Sequence, residues 1–142
     1  MLTWNQLHET LARASRRHEK LYSLFSQFGQ GVVEEVVAPN FHIKGILAEF
    51  DPQAGELKVS FSGRTLVFLF STVQGDSGAL NGKINVYLMR RIPTQAFESI
   101  GELSFDGNGQ SNMIDPSDND QLHVQGSATY IALHFLNESL GA

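Results

Sequence analysis

The strongest constraint on the fold is a stripe of apolar residues along the first 28 positions. Its members recur at alternating spacings of three and four, the repeat of a helix with one buried stripe. We call this set the apolar seam: Trp4, Leu7, Leu11, Ala14, His18, Leu21, Phe25 and Phe28. Tyr22 and Leu24 widen the seam in its second half. The repeat predicts one long N-terminal helix whose seam faces the core or a partner helix.

Both ends of this helix carry terminal signals. Thr3 and Gln6 have the spacing of a capping box, in which each side chain accepts a hydrogen bond from the backbone amide of the other residue. Gly29 is typical of the position just beyond a helix C-terminus, so we expect the helix to end there. Residues 30–40 fit a continued helix or a short strand, and the sequence leaves both open.

Beyond this helix the apolar pattern changes to the alternation of strands. Strands are predicted over 41–50, 57–61, 66–70, 83–91, 97–105 and 111–114, with turns rich in Gly, Asn and Asp between them. Residues 66–70 are apolar on both faces, which predicts a central strand covered on both sides, one of them by a helix and the other by a second copy or another protein. A final helix is expected from near Ser127 to Gly141.

These elements predict an α+β fold: a long N-terminal helix, an antiparallel meander of about four to six strands, and a C-terminal helix packed on the sheet. A chain of 142 residues is expected to form one domain, residues 1–142. The chain has no cysteine, which excludes disulfides, thiolate metal ligands and a cysteine nucleophile. It lacks the run of about 18 apolar residues that a membrane-spanning helix needs. It also shows no secretory signal, so we expect a cytoplasmic protein.

Patterns that carry chemistry are incomplete in this chain. Residues 75–78 read Gly-Asp-Ser-Gly, as around some serine nucleophiles, but the residues that should follow are absent. Residues 78–83 lack the first Gly and the final Ser/Thr of a phosphate-binding loop, and residues 106–117 lack two obligatory positions of a calcium loop. Glu98 and Glu102, expected on one strand face, are too far apart for a glycosidase pair. No catalytic residue, metal or cofactor is predicted, and a non-enzymatic role is favoured.

The charge of the chain is distributed unevenly. The net charge is −5, yet residues 1–29 carry four Lys/Arg against two Asp/Glu, whereas residues 30–142 carry six against thirteen. The four N-terminal basic residues form what we call the basic strip: Arg13, Arg16, Arg17 and Lys20. At helical spacing the strip lies about 130° from the centre of the apolar seam, so it faces outward or sideways.

The basic strip has several interpretations. It is a solvated face with weak ion pairs, a docking site for an acidic surface of this chain or of a second protein, a nucleic-acid contact, or part of a membrane-surface helix. Nucleic acid is disfavoured because the sequence pI is about 5.4 and no aromatic residue is interleaved with the strip. A membrane surface is disfavoured because the domain core needs the apolar seam. His18 is either a half-buried packed histidine or a polar position that sets helix pairing or responds to pH.

From these features we predict a small non-enzymatic protein that acts through protein–protein contacts, in an adaptor, chaperone or immunity role, and forms a homodimer. Its predicted contact residues are the basic strip and His18. The alternative is a small-ligand-binding cup, or an enzyme built on it, in which the helices close over a Phe-rich sheet. Its polar contacts are assigned to His42, Lys44, Tyr87 and Arg90. A cup predicts an internal pocket, whereas an interaction protein predicts a filled core and an exposed apolar patch.

Overall fold

The computed structural model describes residues 1–76, 78–90 and 94–141. The chain begins with helix α1 (Trp4–Val36) and ends with helix α2 (Ala128–Leu140). Between the helices lie β1 (Leu47–Asp51), β2 (Glu56–Phe61), β3 (Arg64–Gln74), β4 (Leu80–Arg90), β5 (Ala96–Phe105), β6 (Gln110–Ile114) and β7 (Gln121–His123). The strands pair in sequence order as an antiparallel meander. The fold is therefore α+β, as predicted, with seven strands where four to six were expected.

The additional strand is β7, in a segment for which no strand was predicted. It has three residues and pairs with β6. Only Leu122 at its centre is buried. A strand of this length contains too few alternating positions to be recognised from sequence, because its existence depends on the partner strand rather than on its own pattern.

Helix α1 starts as predicted but ends later. The amide of Thr3 donates to Oε1 of Gln6 at 3.0 Å, and the amide of Gln6 donates to Oγ1 of Thr3 at 3.2 Å, so the capping box is present. The helix continues through Gly29 to Val36, and the predicted end at Gly29 is wrong. Gly29 is buried against the ring of Phe50, and a Cβ there would collide with that ring. This glycine serves close packing rather than termination.

The first predicted strand is shorter than expected. β1 begins at Leu47, and residues 41–46 form a loop between α1 and the sheet. Gly45 in this loop has φ of +89°, which interrupts an extended backbone. His42 and Lys44 therefore lie on a loop and not on a strand face, which corrects the prediction for both residues.

Both helices pack on the same face of the sheet, which we call the inner face. The ring of Phe68 in β3 lies 5.9 Å from that of Phe28 in α1 and 6.1 Å from that of Phe135 in α2, measured between centroids. Gly101 in β5 leaves room for Phe135. Large side chains thus fill the space between helices and sheet, where the predicted cup would have its cavity.

A bulge changes the faces of β5. The pairing of β4 with β5 shifts register between Val86 and Tyr87. As a result, the buried residues at the C-terminal end of β5 lie on the inner face, but Phe97 near its start does not. Phe97 is 56% exposed. The same shift places Glu98 and Glu102 on opposite faces, so the prediction that they share a face is wrong.

Two long-range hydrogen bonds fix α2. Thr129 Oγ1 donates to Glu35 Oε2 of α1 at 2.7 Å. Arg64 Nη1, at the start of β3, donates to the carbonyl oxygen of Ser139 at 3.0 Å. The C-terminal helix is therefore tied both to α1 and to the sheet, and α2 runs from Ala128 to Leu140 as the sequence predicted.

Candidate interaction surface

The apolar seam of α1 is divided into a buried half and an exposed half. Leu21, Phe25 and Phe28 are fully buried under the sheet, but Trp4 is 76% and Leu11 61% exposed. With 33 residues the helix is about 50 Å long, whereas the longest strands have 11 residues and span about 36 Å. The helix is longer than the sheet on which it packs, so its N-terminal part extends beyond the core.

We call residues 4–14 of α1 the arm. One side of the arm faces the end of the β3–β4 hairpin at Gly78, Ala79 and Leu80. Between helix and hairpin lies an open depression of about 350 Å³, which we call the arm groove. It is lined by Thr10, Arg13, Ala14, Arg17, Gly78, Ala79 and Leu80. The exposed seam runs beside this groove.

The sequence contains a feature that distinguishes the buried half of the seam from the exposed half, namely the width of the apolar face. In the buried half the seam is widened by Leu24, which is buried, and by Tyr22, which is half-buried. In the arm no large apolar residue flanks the seam. A wide apolar face is typical of a helix packed on a core, whereas a narrow one is typical of pairing with a single helix. Trp4, Leu7 and Leu11 were nevertheless missed as surface residues, because both halves have the same spacing.

The basic strip does not face one direction. Nε of Arg17 donates to the carbonyl oxygen of Leu80 at 2.8 Å, and its guanidinium lies over Gly107 in the turn after β5. Arg17 therefore ties α1 to two turns of the sheet. Arg13, Arg16 and Lys20 are exposed, and none of the three forms an ion pair within the described ranges.

His18 lies where the arm meets the core. Its exposed ring stacks on Tyr22 at 6.3 Å and contacts the edge of Phe70 at 5.6 Å. The rings of Phe25 and Phe70 continue this aromatic cluster into the core, 5.4 Å apart. The Tyr22 hydroxyl is buried and has no hydrogen-bond partner among the described residues. His18 thus covers the open end of the core with a ring that still reaches solvent.

The four residues assigned to a cup are not brought together. Tyr87 lies on the sheet face away from the helices, which we call the outer face. Arg90 is at the end of β4, where its Nη2 lies 2.7 Å from Oε2 of Glu98. His42 lines a surface depression between α2 and the loop after α1, and Lys44 is exposed on that loop.

Tyr87 belongs to a second apolar depression, on the outer face. This depression has a volume of about 440 Å³ and is lined by Glu56, Lys58, Val67, Leu69, Tyr87, Met89, Gln95 and Phe97. Lys58 Nζ and Glu56 Oε1 form an ion pair at its rim, 3.4 Å apart. Val67 and Leu69, the apolar residues of β3 on the outer face, line this depression. Their apolar character predicted a strand covered on both faces, but both helices pack on the inner face. Arg91, the last residue of the strand predicted over 83–91, lies outside the described residues.

The electrostatics of the remaining surface offer little chemistry. The Ser117 amide and hydroxyl donate to Oδ1 of Asp115 at 2.9 and 2.7 Å, and these bonds hold the pKa of that carboxyl below its ordinary value of 3.8. In the ranges 1–76, 78–90 and 94–141, no group of three or more His, Asp or Glu side chains is placed to hold a metal ion. None of the described helices is long and apolar enough to cross a membrane.

Comparison with protein-family models, with curated proteins and with solved structures finds no match to this chain. The α+β meander and the arm are therefore the features from which a function has to be argued.

Proposed function

We propose that this chain is a non-enzymatic protein of the cytoplasm that acts through protein–protein contacts and forms a homodimer, in an adaptor, chaperone or immunity role. The exposed half of the apolar seam carries the proposal. Trp4, Leu7 and Leu11 lie in one row and are 76%, 42% and 61% exposed. Large apolar side chains aligned on a projecting helix are typical of contact surfaces rather than of a solvated face.

The filled inner face supports an interaction protein over a cup. The phenylalanines of both helices and of β3 occupy the space that a ligand would need. The depressions around the described residues open to solvent, and the four polar residues assigned to a cup lie in different places. A ligand-binding function is favoured by one observation only, the apolar depression at Tyr87 on the outer face.

The exposed part of the basic strip forms a second contact surface in this proposal. Arg16 and Lys20 lie on the side of α1 away from the seam, so they remain accessible when the seam is covered, and the exposed Arg13 borders the arm groove. Their partner is an acidic surface, on the same chain's second copy or on another protein. The proposal leaves Arg17 out of this second surface because its Nε already donates to the carbonyl oxygen of Leu80. His18 stays a predicted contact residue at the border of the arm.

The first test is the mass of the purified protein in native mass spectrometry and light scattering. We expect twice the 15.7 kDa chain mass, and a return to a single chain in Leu11→Glu, because a carboxylate in the seam cannot be desolvated. Asn5→Glu is the matched control: it adds the same charge to the exposed arm off the seam and is expected to leave the dimer intact. Additional small-molecule mass on the wild-type chain would instead favour a ligand at Tyr87.

A wild-type protein that stays a single chain at all concentrations would contradict self-association. A dimer that persists in Leu11→Glu would show that another surface is used.

A further inference from the structure

We propose that two copies of this chain pair through their arms in antiparallel orientation, with Trp4 of each copy entering the arm groove of the other beside Ala14. This inference rests on the proposed self-association and specifies its geometry. It assigns a partner, a second copy, and a docking site, the arm groove, to surfaces that the fold leaves uncovered.

The spacing of the exposed seam supports this register. When the antiparallel pair is centred at Glu9, Trp4 lies opposite Ala14 of the other copy and Leu7 lies opposite Leu11. The largest side chain of the arm thus meets the smallest, and the two leucines meet each other. The three exposed apolar residues of the seam and the half-buried Ala14 are all used, and none of the seam residues buried in the core is needed.

The arm groove has the lining that an indole needs. Its volume is about 350 Å³, and Ala14, Ala79 and Leu80 give it an apolar wall. The side chains of Arg13 and Arg17 lie at its border, and a guanidinium beside an indole face adds a cation–π attraction. Arg17 is already fixed by its hydrogen bond to Leu80, so this border is in place before a partner arrives.

The distribution of charge allows two copies of the same arm to approach. The positions that flank the seam are Thr3 and Thr10 on one side and His8 and Ser15 on the other, and none carries a carboxylate or an ammonium group. Of the two charged residues of the arm, Glu9 lies on its far side and Arg13 lies at the border of the arm groove. Two arms, each with one Glu and one Arg, therefore meet through uncharged flanking positions, and antiparallel pairing also opposes the two helix dipoles.

The same distribution argues against a lipid surface as the occupant. A helix that lies on a membrane places basic residues beside its apolar face, where they reach the headgroups. Here Arg16 and Lys20 lie nearly opposite the seam, so a membrane-bound α1 would point them into water.

The contact is small for a specific interface. Burying Trp4, Leu7, Leu11 and the groove wall on both copies removes on the order of 1,000 Å² of surface, at the lower limit for a specific interface. We therefore expect a reversible dimer whose population depends on protein concentration in the micromolar range.

Trp4 is the only tryptophan, so its fluorescence reports the contact directly. In the wild-type protein, dilution is expected to shift the emission to longer wavelength as the indole leaves the groove. Ala14→Arg fills the groove and is expected to weaken association by about thirtyfold or more, with red-shifted emission at every concentration. Circular dichroism checks that this variant is folded, since Ala14 lies outside the core.

The orientation is tested by disulfide trapping, because the chain has no cysteine of its own. In the antiparallel register the two Ala14 residues are about 15 Å apart along the helix, beyond the Cα distance of about 7 Å that a disulfide allows. Ala14→Cys alone is therefore expected to stay unlinked under mild oxidation. A mixture of Ala14→Cys with Trp4→Cys is expected to give a linked heterodimer.

The outcomes separate this geometry from the proposed function. Linked Ala14→Cys homodimers would overturn the antiparallel register and leave self-association standing. A dimer by light scattering whose mixed cysteines never link, or whose Trp4 emission does not change on dilution, would place the contact elsewhere. A single chain at all concentrations would remove both proposals. Blue-shifted emission of the single chain with phosphatidylglycerol vesicles would replace the second copy with a membrane.

Discussion

At the scale of single residues, Arg17 shows how neighbours decide a role that sequence leaves open. Sequence places it in a row of four basic residues that look equivalent. In the fold its Nε donates to the Leu80 carbonyl and its guanidinium covers Gly107, so it joins α1 to the ends of two hairpins. Arg16, one position away, points into solvent. A charged donor that satisfies a half-buried carbonyl contributes more to stability than an exposed charge.

We therefore expect Arg17→Gln to lower the free energy of unfolding by about 1–2 kcal/mol. Arg16→Gln, the matched control, is expected to change it by less than about 0.5 kcal/mol. Urea denaturation followed by circular dichroism measures both values. Equal effects of the two substitutions would show that the contact with Leu80 contributes nothing in solution.

At the scale of elements, α1 combines two environments in one helix. Its C-terminal part is held by the sheet and by α2, and its arm is held by its capping box, the β3–β4 hairpin and Arg17. The two glycines of the buried part show the difference that packing makes. A Cβ at Gly29 would collide with Phe50, whereas a Cβ at Gly31 would be 3.7 Å from the Cβ of Ala128, an ordinary contact.

Alanine at these two positions is expected to have opposite effects. Gly31→Ala should raise the free energy of unfolding by about 0.5–1 kcal/mol, because alanine favours the helix and meets no obstacle. Gly29→Ala should lower it by about 1–3 kcal/mol, because the displaced Phe50 outweighs the same gain in propensity. Thermal or chemical denaturation compares them. Stabilisation by both would contradict the close packing of Gly29 on β1.

At the scale of the whole molecule, two of the apolar surfaces that the described residues leave uncovered bear on function. One is the seam of the arm, and the other is the depression at Tyr87 on the outer face. The arm combines a repeated spacing, a groove and flanking positions without charge, so it has the features of a self-complementary surface. The outer depression shows no comparable match to another part of this chain.

Self-association through the arm makes stability depend on protein concentration, since a partner that binds only the folded chain stabilises it. We expect the thermal midpoint of the wild-type protein to rise with concentration. At tenfold above the dissociation constant the gain is about 1.4 kcal/mol. Leu11→Glu should show a midpoint independent of concentration. A wild-type midpoint that stays constant over a hundredfold range would contradict a dimer coupled to folding.

Much of the fold was predictable because its signals are local. The capping box at Thr3, the seam spacing, the alternation of β2 and the limits of α2 depend on residues close together in the chain. The errors occurred where distant contacts decide. Gly29 is a packing glycine only because Phe50 lies over it, and β7 exists only because β6 pairs with it.

The candidate site was predictable in part for the same reason. The basic strip and His18 were located on one helix from spacing alone, but their surroundings were not. The sequence by itself determined an α+β chain with a long capped helix, a meander and a second helix. Only the tertiary structure decided which half of the apolar seam is buried, that Arg17 holds α1 to Leu80, and that the inner face is filled. Periodicity reports which residues share a face, whereas burial depends on where the sheet ends beneath that face.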